Sequence, residues 1–221
     1  MLSVTQFCGF MAGKLPPQLE YVDGRSSGAT LTTYSFGSVP LGSISPSPTR
    51  LVVVCISGFR DVGGTVASAT IGGVTATIAR NTSIGNGSIA MIYAEVPTGT
   101  TATVSITWST LQAGTSIATY VMDGLQSNTH DSAGVDTTDP LNLNTTVQPE
   151  GIIIAHGKNY GNNNFTWTGT QGIVENYDAG IGTSVSHTAA SAYKAGGGTG
   201  TIICTPSIAF SLGGMHYLTF S

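Results

Sequence analysis

From Ala29 onward the chain falls into runs of four to nine residues rich in Val, Ile, Thr, Tyr and Phe, separated by clusters of Gly, Pro, Asn and Ser. That punctuation predicts many short strands and no helix. In residues 102 to 109 (ATVSITWS), Val104, Ile106 and Trp108 alternate with Thr103, Ser105 and Thr107, so one face meets a core and the other meets water. The alternation is that of an antiparallel sheet. Further strands are predicted near 29–36, 49–57, 67–71, 74–80, 88–96 and 116–123. A second series follows near 141–147, 150–157, 164–168, 172–177, 185–195, 199–205 and 213–220. Gly72-Gly73, between two predicted strands, is a hairpin signal because glycine reaches positive φ without steric cost.

The two series echo each other about a hundred residues apart. LVVVC at 51–55 answers GIIIA at 151–155, and YAEVPTGTTATVSI at 93–106 answers YKAGGGTGTIICTP at 193–206. The match is better in pattern than in identity, and chance likeness among Thr- and Gly-rich strands is the competing explanation. The expectation is an all-β, antiparallel β-sandwich, jelly-roll-like, with pseudo-repeats at about 29–126 and 127–221 in one composite body. Two repeats sharing a core bury more apolar area per residue than two separate small ones. Residues 1–28 show no sustained period and are expected to form an extended N-terminal docking arm. The polar stretch 126–140 (QSNTHDSAGVDTTDP) is expected to be a linker or long loop.

Composition then narrows the function classes. Only 8% of the 221 residues are charged, while apolar residues reach 40% and glycines number 30, so the chain is poor in charge yet rich enough in apolar side chains to fold. The net charge of −4 is spread without runs, and the seven Lys and Arg do not cluster, which argues against a nucleic-acid partner. No apolar stretch is long enough for a membrane helix, so no membrane insertion is expected. The opening MLSVTQFCGFMAGK does not read as a cleaved secretory signal. Cys8, Cys55 and Cys204 lack metal-like spacing and cannot all pair within one chain. Cys55 and Cys204 lie in strand-like runs and read as small packed hydrophobes. In the arm, Cys8 with Phe7, Phe10 and Met11 is a candidate intersubunit contact or cross-link.

No nucleophile elbow, zinc-protease helix, C-x-x-C, phosphate loop or dinucleotide fingerprint is present, and no cofactor is expected. His130 sits in the polar joint beside Asp131 and reads as a solvated turn. His156, His187 and His216 fall in strands and read as packed or surface histidines, with a three-histidine metal site the sharper alternative. Asp131, Asp136 and Asp139 would have to form an oxygen-rich loop to hold calcium, but they miss the spacing of a known calcium loop. Glu20, Glu95, Glu150 and Glu175 supply carboxylates for sugar hydrolysis without any motif that would pair them. The best candidate binding loop is YGNNNFTW, where Tyr160, Asn162, Asn163 and Trp167 offer stacking faces and amides to a glycan; Phe165 and Trp167 as core residues is the plainer reading. Asn-x-Ser/Thr matches at Asn81, Asn86, Asn144 and Asn164 carry no weight without a secretory route.

The opening SVTQFCGFMAG, the hairpin phrase ATIGGVTATIA, the phrase IYAEVPTGTTATVSITWS and the later FTWTGTQGIVENYD together resemble a family of virion proteins of tailed bacteriophages and prophages. The resemblance covers most of residues 29–221. It implies a structural β-sandwich protein of the capsid surface, neck or tail, assembled as a homo-oligomer in symmetric copies. Such a protein has other virion proteins as partners and the virion, put together in the host cytoplasm, as its location. It also allows a second role, a receptor- or glycan-binding module of a fibre or spike that meets host-surface glycan.

Overall fold

The strands pair into antiparallel sheets stacked as four layers. The computed structural model describes residues 15–59, 63–85, 87–127, 130–136, 139–161, 164–181, 185–209 and 212–221, and among them no helix forms. The first outer sheet runs in the order β2 (Leu31–Pro40), β8 (Thr101–Gln112), β4 (Val66–Ile71), β5 (Val74–Thr75). The first inner sheet runs β1 (Gln18–Ser27), β9 (Gly114–Asp123), β3 (Leu51–Phe59), β7 (Gly87–Glu95), β6 (Thr77–Ile84). The second inner sheet runs β10 (His130–Asp136), β17 (Gly213–Phe220), β12 (Gly151–Tyr160), β15 (Val185–Lys194), β14 (Val174–Ile181). The second outer sheet runs β11 (Leu141–Val147), β16 (Gly198–Pro206), β13 (Phe165–Thr168).

The hundred-residue echo is therefore topological. Reading β10 for β1, β17 for β9, β12 for β3, β15 for β7 and β14 for β6 reproduces one inner sheet from the other, and β11-β16-β13 reproduces β2-β8-β4. The expected single composite sandwich resolves into two, each with its own core. In the first, Val52, Val54 and Ile56 of β3 meet Val104, Ile106 and Trp108 of β8. In the second, Ile153 and Ala155 of β12 meet Phe165, Trp167 and Ile202. A third apolar layer joins the two inner sheets through Leu51, Val53, Cys55, Met91 and Tyr120 on one side and Ile152, Ile154, Leu218 and Phe220 on the other. This is why LVVVC and GIIIA are unbroken apolar runs: the central strands of the inner sheets are buried on both faces.

The outer sheets keep the expected alternation, with Ala102, Val104, Ile106 and Trp108 buried between more exposed Thr and Ser. Gly72 and Gly73 both take positive φ (61° and 82°) in the turn between Ile71 and Val74, the backbone of a two-residue hairpin. The predicted strand 74–80 is two strands: the chain crosses from the outer to the inner sheet at Ala76, so β5 pairs with β4 and β6 with β7.

Two expectations on domain organisation are corrected. Residues 18–27 of the expected arm are β1, paired along β9 from Gln18↔Asp123 to Ser27↔Thr115. It is fastened further by Glu20, which accepts from the Ser43 backbone N–H at 2.7 Å and the Ser43 hydroxyl at 2.8 Å, and by Arg25, whose Nη2 donates to the Ser38 carbonyl at 2.9 Å. The expected linker 126–140 contains β10, which pairs with β17. The repeats accordingly run from β1 to β9 and from β10 to β17. Cys8, Phe7, Phe10 and Met11 lie outside the described residues.

Candidate functional site in the layer between the sandwiches

Period-two alternation carries the apolar layer into a polar one. On β12, Ile152 and Ile154 face the first inner sheet, and the same face continues with His156 and Lys158. On β3, Leu51, Val53 and Cys55 are followed on that face by Ser57. At this end of the interface His156 Nε2 lies 3.0 Å from the Ser57 hydroxyl. Similarly, His187 Nδ1 lies 2.8 Å from the Ser116 hydroxyl and His216 Nε2 lies 3.1 Å from the Thr82 hydroxyl. Cross-strand pairing sets His187 beside Lys158 and His216 beside His156, and the His156 and His187 rings are 4.5 Å apart. In these three pairs every hydroxyl comes from the first inner sheet and every imidazole from the second.

Lys158 is enclosed, and its Nζ donates to the Gly58 carbonyl at 2.8 Å. The room comes from Gly87, where a Cβ would fall 1.6 Å from that nitrogen. Gly87→Ala is therefore expected to drive the amine off Gly58 and destabilise the fold by about 2 kcal/mol, the scale of a buried group left unpaired, read as a lower urea midpoint with unchanged slope.

Burial sets the charge state of the patch. With water removed, the Lys158 ammonium is disfavoured and its pKa falls to about 7. His187, by burial and then by the nearby Lys158, is pushed down to about 3. His216, by burial and then Arg80, is also pushed down to about 3. His156 is driven well below the usual imidazole range by burial first, then by His187, His216 and Lys158. The second ring nitrogen of each histidine (Nδ1 of His156, Nε2 of His187, Nδ1 of His216) finds no hydrogen-bond partner among the described residues.

A hydroxyl at hydrogen-bond distance from an imidazole is the geometry of a nucleophile with its base. Neither Ser57/His156 nor Ser116/His187 has a carboxylate bonded to the far ring nitrogen, and both histidines are fully buried. Among the described residues no three of His, Cys, Asp and Glu are placed to hold a metal ion, and the three strand histidines are tied instead to hydroxyls of the opposite sheet.

The expected glycan loop is corrected in part. Trp167 is a core residue of the second sandwich, 8% exposed, with its indole N–H donated to the Thr188 hydroxyl at 2.8 Å, so its face cannot stack on a sugar. Trp108 plays the same part in the first sandwich, donating to the Thr115 hydroxyl at 3.0 Å. Trp167→Ala is expected to cost about 3–5 kcal/mol of stability, measured by denaturant unfolding, which is the cost of a large aromatic cavity. Tyr160 closes the end of β12 edge-on to Phe59, ring centroids 5.6 Å apart, and Asn162 and Asn163 lie outside the described residues.

Asp131 and Asp136 lie on β10 and not in a loop, which corrects the context of the calcium reading. Glu20 is held by Ser43, and Glu150 accepts the Tyr193 hydroxyl. Cys55 and Cys204 are free and buried, each with a thiol pKa raised by burial. No motif marks Lys158 in the sequence; the available signal is its place two residues after His156 on the Ile152–Ile154 face. No family model matches the chain, and no curated protein matches it.

Proposed function

We propose that this chain is a non-enzymatic structural subunit of a tailed-phage virion, a capsid-decoration, neck or tail-attached protein that assembles in symmetric copies and stabilises the particle. The observation that carries the reading is the direction its side chains face. The reactive groups Cys55, His156, His187, His216 and Lys158 at the joint and Cys204 in the second sandwich core are all enclosed, while the outer sheets turn Thr and Ser outward. A stack of two sandwiches with a buried joint and weakly charged faces suits a rigid spacer or cover more than a reaction vessel. The strand orders β1-β9-β3-β7 and β2-β8-β4, repeated in the second half, support a jelly-roll-like description of each sandwich. The phage-like strand-and-turn phrases support the same reading.

The test is quantitative mass spectrometry of purified particles from the source strain. The reading expects the chain to be particle-bound at a copy number that is a multiple of the symmetry of its ring or lattice. A chain absent from purified particles, or present only in trace amount, contradicts it.

A further inference from the structure

We propose that the patch of His156, His187, His216 and Lys158 is an acid-operated latch: uncharged, it lets the two sandwiches stack; on taking up protons, it parts them along the layer between the inner sheets while each sandwich keeps its own fold. This goes beyond the structural role proposed above and does not depend on it.

The patch lies in the joint and outside both sandwich cores. His156 and Lys158 share the β12 face of Ile152 and Ile154, His187 the β15 face of Ala189, and His216 the β17 face of Leu218, all of them residues of the joint and not of the cores that hold Trp108 and Trp167. No strand of one inner sheet is hydrogen-bonded into the other, so the joint can open without breaking a ladder. What holds the two faces together at this end is three imidazole–hydroxyl bonds, one amine–carbonyl bond, the Ser116–Tyr177 hydroxyl pair and the edge-on contact of Phe59 with Tyr160.

Among the residues whose side chains are described, charge placed here meets no unpaired carboxylate; Asp131 and Asp136 sit on the neighbouring β10 opposite Thr219 and Met215, and from β7 the Ala90 backbone favours the protonated form of His156. From β3 the patch faces Ser57 and the buried thiol of Cys55; from β9 it faces Ser116 and the phenol of Tyr120. From β6 it faces Thr82 and the guanidinium of Arg80, a like charge. From β14 it faces the Tyr177 phenol, which bonds Ser116 at 3.1 Å, while Asp178 turns to the second outer sheet and accepts the Phe165 backbone N–H. From β1 come the Tyr21 phenol and Asp23, and Asp23 is paired with Arg25. A proton on any of the histidines therefore adds a buried cation beside other cations and removes an acceptor nitrogen. Burial holds the neutral forms at higher pH, so the load of protons arrives on acidification.

The two tryptophans provide an internal control, since each reports one sandwich interior and neither lines the joint. The experiment follows the full chain from pH 9 to pH 3 by small-angle scattering and by tryptophan emission, with the variant H156Q/H187Q/H216Q alongside. The expected result is an increase in radius of gyration on acidification while tryptophan emission stays that of a buried indole. In the triple variant the expansion should move down by at least one pH unit. Expansion that coincides with tryptophan exposure, no expansion down to pH 3, or an unshifted midpoint in the triple variant overturns the proposal. Should the triple variant not fold, His187→Gln alone should shift the midpoint in the same direction, and the wild-type comparison of the two signals decides by itself.

Discussion

A chain shortened to begin at Gly28 is expected to lose its soluble folded state. The cut removes β1, whose ladder with β9 closes one edge of the first inner sheet. It also removes Tyr21, which packs edge-on against Tyr120 at 5.5 Å and lies 6.3 Å from Tyr177 across the joint. Without β1 the buried strand β9 becomes a long apolar edge, the kind of surface that recruits other chains. The measurement is the soluble yield and far-UV circular dichroism of the shortened chain; a protein that unfolds at the same temperature as the full chain would contradict the assignment of β1. A milder version is Gly24→Val, because a Cβ at Gly24 would fall 2.1 Å from the Tyr177 ring. It should lower the melting temperature by several degrees with the sheet otherwise retained.

Stability is expected to climb with pH from about 3 to a maximum near pH 9, higher than the pH 5–8 typical of proteins. The folded pKa values of His187 and His216 are lowered to about 3 from 6.5, and that of His156 is lowered as well. The unfolded chain therefore binds more protons in that window. The histidine contribution is complete above pH 6.5 and is lost as pH falls toward 3. Lys158, lowered from 10.5 to about 7, works the same way at higher pH: its contribution is complete above 10.5 and lost as pH falls to 7, on the order of 5 kcal/mol for a shift of this size. Acids with raised folded values act in the opposite sense. Cys55 and Cys204 lose stability as pH rises above 9, and Tyr21, raised to about 12, together with Tyr120 and Tyr177, does so above 10. The two trends cross near pH 9. Urea midpoints measured at unit intervals from pH 4 to 10 check this; a curve flat between pH 4 and 9, or one peaking near pH 5, would count against a buried neutral patch.

Much of the fold was legible because buried positions leave a period. β11 and β17 have the bounds that their alternating and apolar runs predict, and β8 shows the face assigned to Val104, Ile106 and Trp108. The echo of 51–55 in 151–155 correctly marked equivalent central strands. The missed strands are β1 and β10, and they are equivalents of each other: both are edge strands. β1 pairs on one side only and leaves most side chains half-buried, so QLEYVDGRSS carries no clean alternation. HDSAGVD is more polar still and carries the pattern of a joint. The change of sheet at Ala76 was hidden because VTATIAR keeps one strand-like pattern through the crossing. The site was less legible than the fold. The three histidines were recognised as strand residues, but their convergence depends on two sheets coming face to face, which no local pattern records. Lys158 is singled out by no sequence motif, and the space that lets it be buried comes from Gly87 on the opposite sheet.

The chain has three lysines, Lys14, Lys158 and Lys194, and their reactivity tests the stacked arrangement most directly. Native protein at pH 8 is treated briefly with an amine-acylating reagent and each lysine is followed by peptide mass spectrometry, with a urea-unfolded sample as the reference. Burial alone lowers the Lys158 pKa to about 7, so an exposed Lys158 would behave as an ordinary lysine and react at a rate like that of Lys194. The stacked arrangement requires it to stay unmodified in the native protein while Lys194 reacts, and to be modified on unfolding. Acylation of native Lys158 at the rate of Lys194 would contradict a lysine enclosed between two sandwiches.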